Sequence, residues 1–285
     1  MIPLFYQLIE AYQPHYSLPM PTPIALVQNI ETPQVLGIQT TIDDRRPNSV
    51  IHGIGGIQEN QQIITIAVLG DSMIDTLGPD ISSLETALEQ YFPNKKFKII
   101  NYGVGASNIE YALHRLKNNY QYKDQDYPSL LSLNPDIIVV ESFAYNNFGN
   151  TQSGFDRQWQ ALSNITSTIQ KELPATKIVL TATIAPNSLN FASGIKDIHL
   201  TNLEKIEKTK TIRAYLQNII NFAQSQKFPL ANAFTNSLKN DEGLPELISK
   251  ADNLHPSELG AQFFSDTLAK TLFDNKIIET LEFKN

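Results

Sequence analysis

The sequence predicts an α/β protein with a parallel central sheet that is covered by helices on both faces. Two observations lead to this fold class. From residue 62 onward, short β-branched apolar runs alternate with longer stretches of helical periodicity. Polar or glycine-bearing segments follow several of the apolar runs, as at the carboxyl ends of strands that border a ligand crevice. A chain of 285 residues accommodates one such domain and an N-terminal extension.

The first 60 residues have a different pattern and predict an irregular N-terminal extension. Apolar residues at helical spacing predict an amphipathic helix over 2–12, and frequent prolines over 14–33 favour extended, irregular backbone. Alternation over 36–42 and a glycine-bearing apolar run over 50–57 are typical of a small hairpin. We therefore expect an extension over 1–60 and a main α/β domain over 61–285.

The main α/β domain is expected to contain five strands and five helices. The strands are predicted at 63–69, 97–101, 136–141, 177–183 and 229–233. The helices are predicted at 81–91, 107–119, 155–172, 203–226 and 257–273. Since the carboxyl ends of parallel strands meet at one edge, the segments that follow the strands should lie close together.

Composition excludes several classes of partner and chemistry. The 41% hydrophobic content suits a globular core, and the formal net charge of −7 argues against nucleic acid or anionic membranes as partners. Because cysteine is absent, disulfides, thiol chemistry and thiolate metal sites are excluded. No His, Asp or Glu spacing indicates a metal site, so we expect neither metal nor cofactor.

The sequence gives no sign of a membrane segment or of a secretory signal. No apolar run reaches the roughly 18 residues of a membrane span. The N-terminus lacks the basic start and long apolar region of a signal peptide. A full-length chain would be cytoplasmic, whereas a chain trimmed of an N-terminal segment would be exported or membrane-anchored. Nothing in the sequence indicates an oligomeric state.

Two motifs at opposite ends of the domain supply the groups of a nucleophilic site. Gly70-Asp71-Ser72 follows the first strand, and Asp252-Asn253-Leu254-His255-Pro256 follows the fifth. A serine hydroxyl needs a neighbouring base, for which His255 is the candidate. Asp252 is close enough in a tight turn to orient the imidazole, and Pro256 is expected at the first position of the last helix.

Candidate oxyanion donors follow the first three strands. They are the backbone N–H of Ser72, a backbone N–H in the Gly105-Ala106 turn, and the side-chain amide of Asn146. One such donor typically contributes about 3 kcal/mol of transition-state stabilisation. Glu141, at the end of the third strand, is expected to contact either loop backbone or substrate.

These motifs resemble those of the SGNH hydrolases, the GDSL-type esterases and lipases, over residues 62–275. The Gly-Asp-Ser block matches at Gly70 to Ser72, with Met73 in place of leucine, and the Asp-x-x-His-Pro block matches at Asp252 to Pro256. The resemblance implies a three-layer α/β/α, flavodoxin-like fold with a five-stranded parallel sheet.

Two blocks depart from the family pattern. The family's oxyanion glycine falls on Ala106, with Gly105 beside it, so either residue is a candidate backbone donor. The Gly-x-Asn-Asp block is written Ala144-Tyr145-Asn146-Asn147, so Asn147 is the alternative to Asn146. The resemblance implies a serine esterase with Ser72, His255 and Asp252 as catalytic residues.

The expected substrate is a small-molecule or carbohydrate ester with a short acyl or acetyl group, since the sequence shows no long apolar lid. One alternative is an O-acyltransferase in which a sugar hydroxyl replaces water. Partition of the acyl group between water and sugar would separate the two. Another is a non-catalytic binding module that uses residues 1–60 to hold a partner, and partner binding independent of Ser72 would favour it.

Overall fold

The structure, a computed structural model, describes residues 62–281. The predicted extension over 1–60 lies outside the described residues. The strands are β1 (Ile63–Gly70), β2 (Lys96–Gly103), β3 (Tyr120–Tyr122), β4 (Gln125–Tyr127), β5 (Ile137–Glu141), β6 (Lys177–Ala182), β7 (Leu230–Asn232), β8 (Leu238–Lys239) and β9 (Glu242–Gly243). The helices are α1 (Ser72–Asp75), α2 (Ser82–Tyr91), α3 (Ile109–Lys117), α4 (Gln152–Glu172), α5 (Asn202–Gln226), α6 (Ala233–Asn236) and α7 (Glu258–Asp274).

Five strands form the central sheet in the order β2-β1-β5-β6-β7, and every pair is parallel. This is the flavodoxin-like order, so the predicted topology is confirmed. Gly70 at the end of β1 pairs with Gly103 at the end of β2, and Leu69 pairs with Val140 of β5. The register therefore brings the ends of three strands together at one edge.

Side chains of alternate residues of β1 pack in two separate hydrophobic cores, one on each face of the sheet. Ile66 and Val68 belong to one core, which α2 and α7 cover, while Ala67 and Leu69 belong to the other, which α3, α4 and α5 cover. Each fully buried side chain of this size contributes about 1.5–3 kcal/mol through the hydrophobic effect. The strand is apolar on both faces because helices cover both, which confirms the three-layer sandwich.

The helix boundaries follow local capping chemistry. Helix α5 begins with a capping box in which Thr201 and Glu204 satisfy each other's backbone N–H groups. Helix α7 begins at Glu258 after the N-cap Ser257, whose hydroxyl oxygen accepts from the Gly260 N–H. The prediction that Pro256 occupies the first helical position is therefore wrong. Pro256 precedes the cap and instead pairs with Ile248 in an isolated β-bridge.

The hairpin formed by β3 and β4, hereafter the tyrosine hairpin, was not predicted. Its turn residues, Lys123 and Asp124, have φ angles of 50° and 58°, as a two-residue hairpin turn of the primed type requires. The rings of Tyr120 and Tyr127 stack with centroids 5.0 Å apart. Three-residue strands that carry exposed Gln and Asp side chains show too little alternation to reveal a hairpin.

None of the helices within residues 62–281 is both long enough and apolar enough to cross a membrane.

Candidate active site

Ser72 opens α1 immediately after β1. Asp71 is the N-cap residue of this short helix, and its Oδ1 accepts from the Met73 N–H at 2.8 Å. A Cβ on Gly70 would lie 2.2 Å from Cγ1 of Ile74, so the tight entry into the helix requires glycine. Ser72 is half-buried, and no acceptor in the described part of the chain takes its backbone N–H.

His255 and Asp252 form a hydrogen-bonded pair in the loop before α7. Nδ1 of His255 lies 2.8 Å from Oδ2 of Asp252, while Oδ1 of Asp252 accepts the N–H groups of Leu254 and His255 at 2.9 and 3.1 Å. The His255 carbonyl accepts from the Ser249 N–H at 2.8 Å. The loop is therefore fixed by its own hydrogen bonds as well as by the Asp–His contact.

The environment of Asp252 favours its ionised form. Partial burial raises the pKa of the Asp252 carboxyl, but hydrogen bonds from the His255 side chain and from the Leu254 and His255 backbone outweigh it, so the pKa lies below its usual value. An ionised Asp252 accepts the Nδ1 proton of a neutral His255, which leaves Nε2 with its lone pair.

The Nε2 atom of His255 is buried and meets no partner among residues 62–281. Burial raises the pKa of Asp71, the residue before Ser72, and a charged His255 imidazole lies close enough to oppose that rise. No hydrogen bond joins Ser72 to His255 among the described residues. A serine side chain changes rotamer readily, so it can adjust toward this nitrogen.

Asn146 and Asn147 have different surroundings. Nδ2 of Asn146 donates to Oδ2 of Asp71 at 2.9 Å, which uses one of its two hydrogens. Asn147 serves its own loop, since Nδ2 donates to the Ala144 carbonyl at 2.8 Å and Oδ1 accepts the Gly149 N–H at 2.9 Å. Asn146, therefore, is the one joined to the nucleophile turn.

The turn after β2, residues 103–107, lies against α1. A Cβ on Gly103 would lie 2.2 Å from the backbone nitrogen of Asp75, so only glycine permits this approach. The Gly105 N–H is occupied by the hydroxyl of Tyr122 at 3.0 Å. Ala106 is exposed and has a left-handed φ of 55°, and its N–H meets no acceptor within the described region.

Arg115, on α3, is a buried site component that the sequence analysis did not single out. Its guanidinium donates to the carbonyls of Tyr102 and Gly70, the latter at 2.9 Å, and contacts Oγ of Ser107 at 3.3 Å. It thereby joins the ends of β1 and β2. The sequence feature that could have indicated a buried Arg115 is its place beside Ala112 and Leu116 on the apolar face of a predicted helix.

Glu141 is fully buried, and it contacts the loop backbone as one of its two predicted roles requires. Its carboxyl accepts from the Ser142 hydroxyl at 2.5 Å and the Phe143 N–H at 2.8 Å. Burial and the neighbouring Asp71 raise the pKa of Glu141 well above its usual value. Burial also raises the pKa of Asp71, but hydrogen bonds from Met73 and Asn146 oppose it. The pair therefore holds a proton on Glu141 more readily than on Asp71.

The polar stretch over 187–202 packs against the loop that carries the Asp–His pair. The Ala192 and Gly194 N–H groups donate to the carbonyls of Asn253 and Asp252 at 3.0 and 3.2 Å. A Cβ on Gly194 would lie 2.0 Å from the Ala251 carbonyl oxygen. Phe191 is buried in the core, so its ring serves packing.

A groove of about 350 Å³ lies between the start of α2 and the start of α7, with hydroxyl, amide and carboxylate groups along its walls. It is separate from the site, since Ser72 and His255 are not among its lining residues. Within residues 62–281, no three His, Asp or Glu side chains are grouped as a metal ion requires.

The match to a known family agrees with this geometry. The model of the GDSL-like Lipase/Acylhydrolase family matches residues 66–268, well over half of the chain. The protein therefore belongs to this family, and membership supports ester hydrolysis as the general reaction. A comparison with curated proteins gave no match.

Several solved structures share the fold at low sequence identity. The lipase/acylhydrolase from Enterococcus faecalis superposes with a TM-score of 0.51 at 15% identity, over 78% of this chain and 99% of that one. A G-D-S-L family protein from Desulfitobacterium hafniense DCB-2 gives 0.51 at 12% identity, over 73% and 99%. An acetylxylan esterase from Geobacillus stearothermophilus gives 0.51 at 12% identity, over 73% and 94%.

Proposed function

We propose that this protein is a serine esterase that hydrolyses short-chain acyl or acetyl esters of small molecules or carbohydrates through an acyl-enzyme. The observation that carries the proposal is the hydrogen bonding of the two ring nitrogens of His255. Its Nδ1 is held by Asp252 at 2.8 Å, and its buried Nε2 has no partner in the described part of the chain. An oriented imidazole with a free basic nitrogen beside a serine turn is the arrangement that nucleophilic catalysis requires.

In this mechanism, Ser72 Oγ attacks the ester carbonyl while Nε2 of His255 takes the hydroxyl proton. The imidazolium is stabilised by Asp252 and then protonates the leaving alcohol as the C–O bond breaks. Water next gives a proton to Nε2 and attacks the acyl carbonyl. Collapse of the second intermediate releases the acid and returns the proton to Ser72.

Three donors are available for the oxyanion. They are the N–H groups of Ser72 and Ala106, which meet no acceptor among residues 62–281, together with the second Nδ2 hydrogen of Asn146. We place the backbone donor of the turn on Ala106 because the Gly105 N–H is already bonded to Tyr122. The acetylxylan esterase among the structures of the same fold is in line with a short acyl group.

Covalent labelling tests this proposal. A fluorophosphonate probe should add once to the wild-type protein and not at all to Ser72→Ala, as read by intact mass. Hydrolysis of p-nitrophenyl acetate should disappear in parallel in Ser72→Ala. Ser167→Ala, a matched control at an exposed position on α4, should label and hydrolyse as the wild type does. A folded wild-type protein that neither labels nor hydrolyses would remove the esterase assignment.

A further inference from the structure

The tyrosine hairpin touches the turn after β2 through a contact that the proposed mechanism leaves unused. The hydroxyl of Tyr122 accepts the Gly105 N–H at 3.0 Å and donates to Oδ2 of Asp75 at 2.8 Å. Asp75 lies in α1, the helix that Ser72 opens. One hydroxyl therefore joins the nucleophile helix to the turn that carries Ala106.

The direction of both hydrogen bonds follows from the groups involved. A carboxylate only accepts, so the Tyr122 proton must point to Asp75, which leaves an oxygen lone pair for the Gly105 N–H. Nζ of Lys123 lies 3.0 Å from both carboxylate oxygens of Asp75 and supplies the opposite charge. Burial and the hydrogen bond to Asp75 raise the pKa of Tyr122, so the hydroxyl keeps its proton across the neutral range.

Close packing at Gly105 shows that the contact is built into the turn. A Cβ on Gly105 would lie 2.9 Å from the Tyr122 hydroxyl oxygen and 3.5 Å from Oδ2 of Asp75. Any larger residue would push the hydroxyl away or shift the turn. The absence of a side chain at Gly105 is therefore what permits the hydrogen bond.

The next residue, Ala106, adopts a conformation that needs an external restraint. Its φ of 55° lies in the left-handed region, which costs an alanine about 1–2 kcal/mol. Such conformations persist where surrounding contacts hold them in place. Fixing the Gly105 N–H limits rotation of the backbone at Gly105, and with it the direction of the adjacent Ala106 N–H.

We propose that Tyr122, oriented by Asp75, is a positioning residue that aims the Ala106 N–H at the oxyanion. This inference rests on the proposed esterase function. Tyr122 touches neither the substrate nor the reacting atoms in this scheme, and it acts through the turn. Loss of the Tyr122 hydroxyl should therefore weaken binding of the transition state more than binding of the ester substrate.

The test compares Tyr122→Phe with Tyr127→Phe. Tyr127 lies on the same hairpin, and among residues 62–281 its hydroxyl hydrogen-bonds only to the exposed Gln125 side chain, at 3.2 Å. With p-nitrophenyl acetate, Tyr122→Phe should lower kcat about tenfold or more and change KM less than twofold, since loss of a whole oxyanion donor costs about 10²–10³. Its affinity for a trifluoromethyl ketone, which binds as an oxyanion adduct, should fall by the same factor as kcat/KM. Tyr127→Phe should behave as the wild type.

An unchanged kcat in folded Tyr122→Phe, a change in KM alone, or equal losses in both tyrosine variants would overturn the positioning role. If Tyr122→Phe does not fold, Asp75→Ala and Asp75→Asn provide the test. An asparagine side-chain oxygen can still accept from Tyr122, so Asp75→Asn should retain clearly more kcat than Asp75→Ala. Equal kcat in these two variants would also overturn the role.

The outcome for Ser72 separates this inference from the proposed function. An inactive, unlabelled Ser72→Ala together with a fully active Tyr122→Phe would remove only the positioning role. Hydrolysis that survives in Ser72→Ala would remove the proposed function itself, whatever Tyr122→Phe does.

Discussion

Asp71 and Glu141 bring two carboxyl groups into the protein interior beside Ser72. Both are fully buried, and burial raises the pKa of both carboxyl groups because it penalises the charged form. The buried Arg115 and the imidazole of His255 favour an ionised Asp71. The buried charges are therefore nearest to balance when Glu141 is neutral and Asp71 is ionised. The ionised Asp71 then accepts the hydrogen bond from Asn146.

A neutral Glu141 predicts that the folded protein tolerates Glu141→Gln, and does so better as the pH rises. Below the ordinary glutamate pKa of about 4.3, both the folded and the unfolded wild type are protonated. As the pH rises above that value, the unfolded state ionises first, so the wild type loses stability until the pH passes the raised folded pKa. Glutamine does not titrate, so the free energy of unfolding of Glu141→Gln should gain on that of the wild type between pH 4 and pH 8.

Urea unfolding of both proteins at several pH values measures this difference. Glu141→Ala is the control, because it also removes the titrating group but leaves the Ser142 hydroxyl and the Phe143 N–H unpaired, so it should be about 2–4 kcal/mol less stable than Glu141→Gln at every pH. If the difference in free energy of unfolding between wild type and Glu141→Gln stays constant with pH, the assignment of a neutral Glu141 is contradicted.

Some residues of the site could be predicted from the sequence, whereas others could not. Ser72, Asp252, His255 and Asn146 were predictable as candidates because short motifs place them after strands whose carboxyl ends meet. Arg115 and Tyr122 were not, because each acts through a contact between elements that are distant in sequence. The choice between Gly105 and Ala106 depends on Tyr122, so sequence spacing alone could not make it.

At the scale of elements, α1 and the turn after β2 approach so closely that Gly103 of the turn is not interchangeable with alanine. Gly103 faces the backbone of Asp75, whereas Ala106 is exposed at the outer side of the turn. The two positions lie three residues apart and differ in what surrounds the Cβ. They form a matched pair for testing the packing of this turn.

Gly103→Ala should destabilise the protein by about 2–3 kcal/mol, because its Cβ would meet backbone that cannot move independently of α1. Ala106→Gly should change stability by less than about 0.5 kcal/mol, since relief of the left-handed strain is offset by the greater freedom of glycine in the unfolded chain. Chemical denaturation of both variants checks the pair. A Gly103→Ala protein as stable as wild type would contradict the close approach.

Elements also differ in how readily their sequences predict them. The β1, β5 and β6 strands are apolar on both faces, and all five predicted helices lie within three residues of their observed bounds at both ends. The tyrosine hairpin escaped prediction because tertiary contacts hold it in place. Tyr120 and Tyr127 pack against Tyr102 of the sheet, and no periodicity records such a contact.

At the scale of the whole molecule, the sheet order explains why the candidate site forms where it does. The chain places β2 on one side of β1 and β5 on the other, so Ser72 lies between the turn after β2 and the loop after β5. This is the switch point at which doubly wound sheets bind ligands. The strand pattern predicted the sheet, whereas its flavodoxin-like order was expected only from the family resemblance.

Net charge predicts a preference among ester substrates. A chain with a formal charge of −7 should repel an ester that carries its own carboxylate, and salt should screen this repulsion. We expect kcat/KM for an anionic ester to rise about twofold or more between low and physiological ionic strength. The value for p-nitrophenyl acetate should stay constant over the same range. Equal salt dependence for the two esters would contradict a long-range charge effect.

The separation of Ser72 and His255 along the chain has a consequence for biosynthesis. During translation Ser72, the proposed nucleophile, leaves the ribosome before the loop with the Asp–His pair, which follows only after β7. Closing that long connection is a late and entropically costly step of folding. Under the proposed mechanism, a nascent chain would therefore carry Ser72 without its base, and ester cleavage would begin only after the last helix has docked.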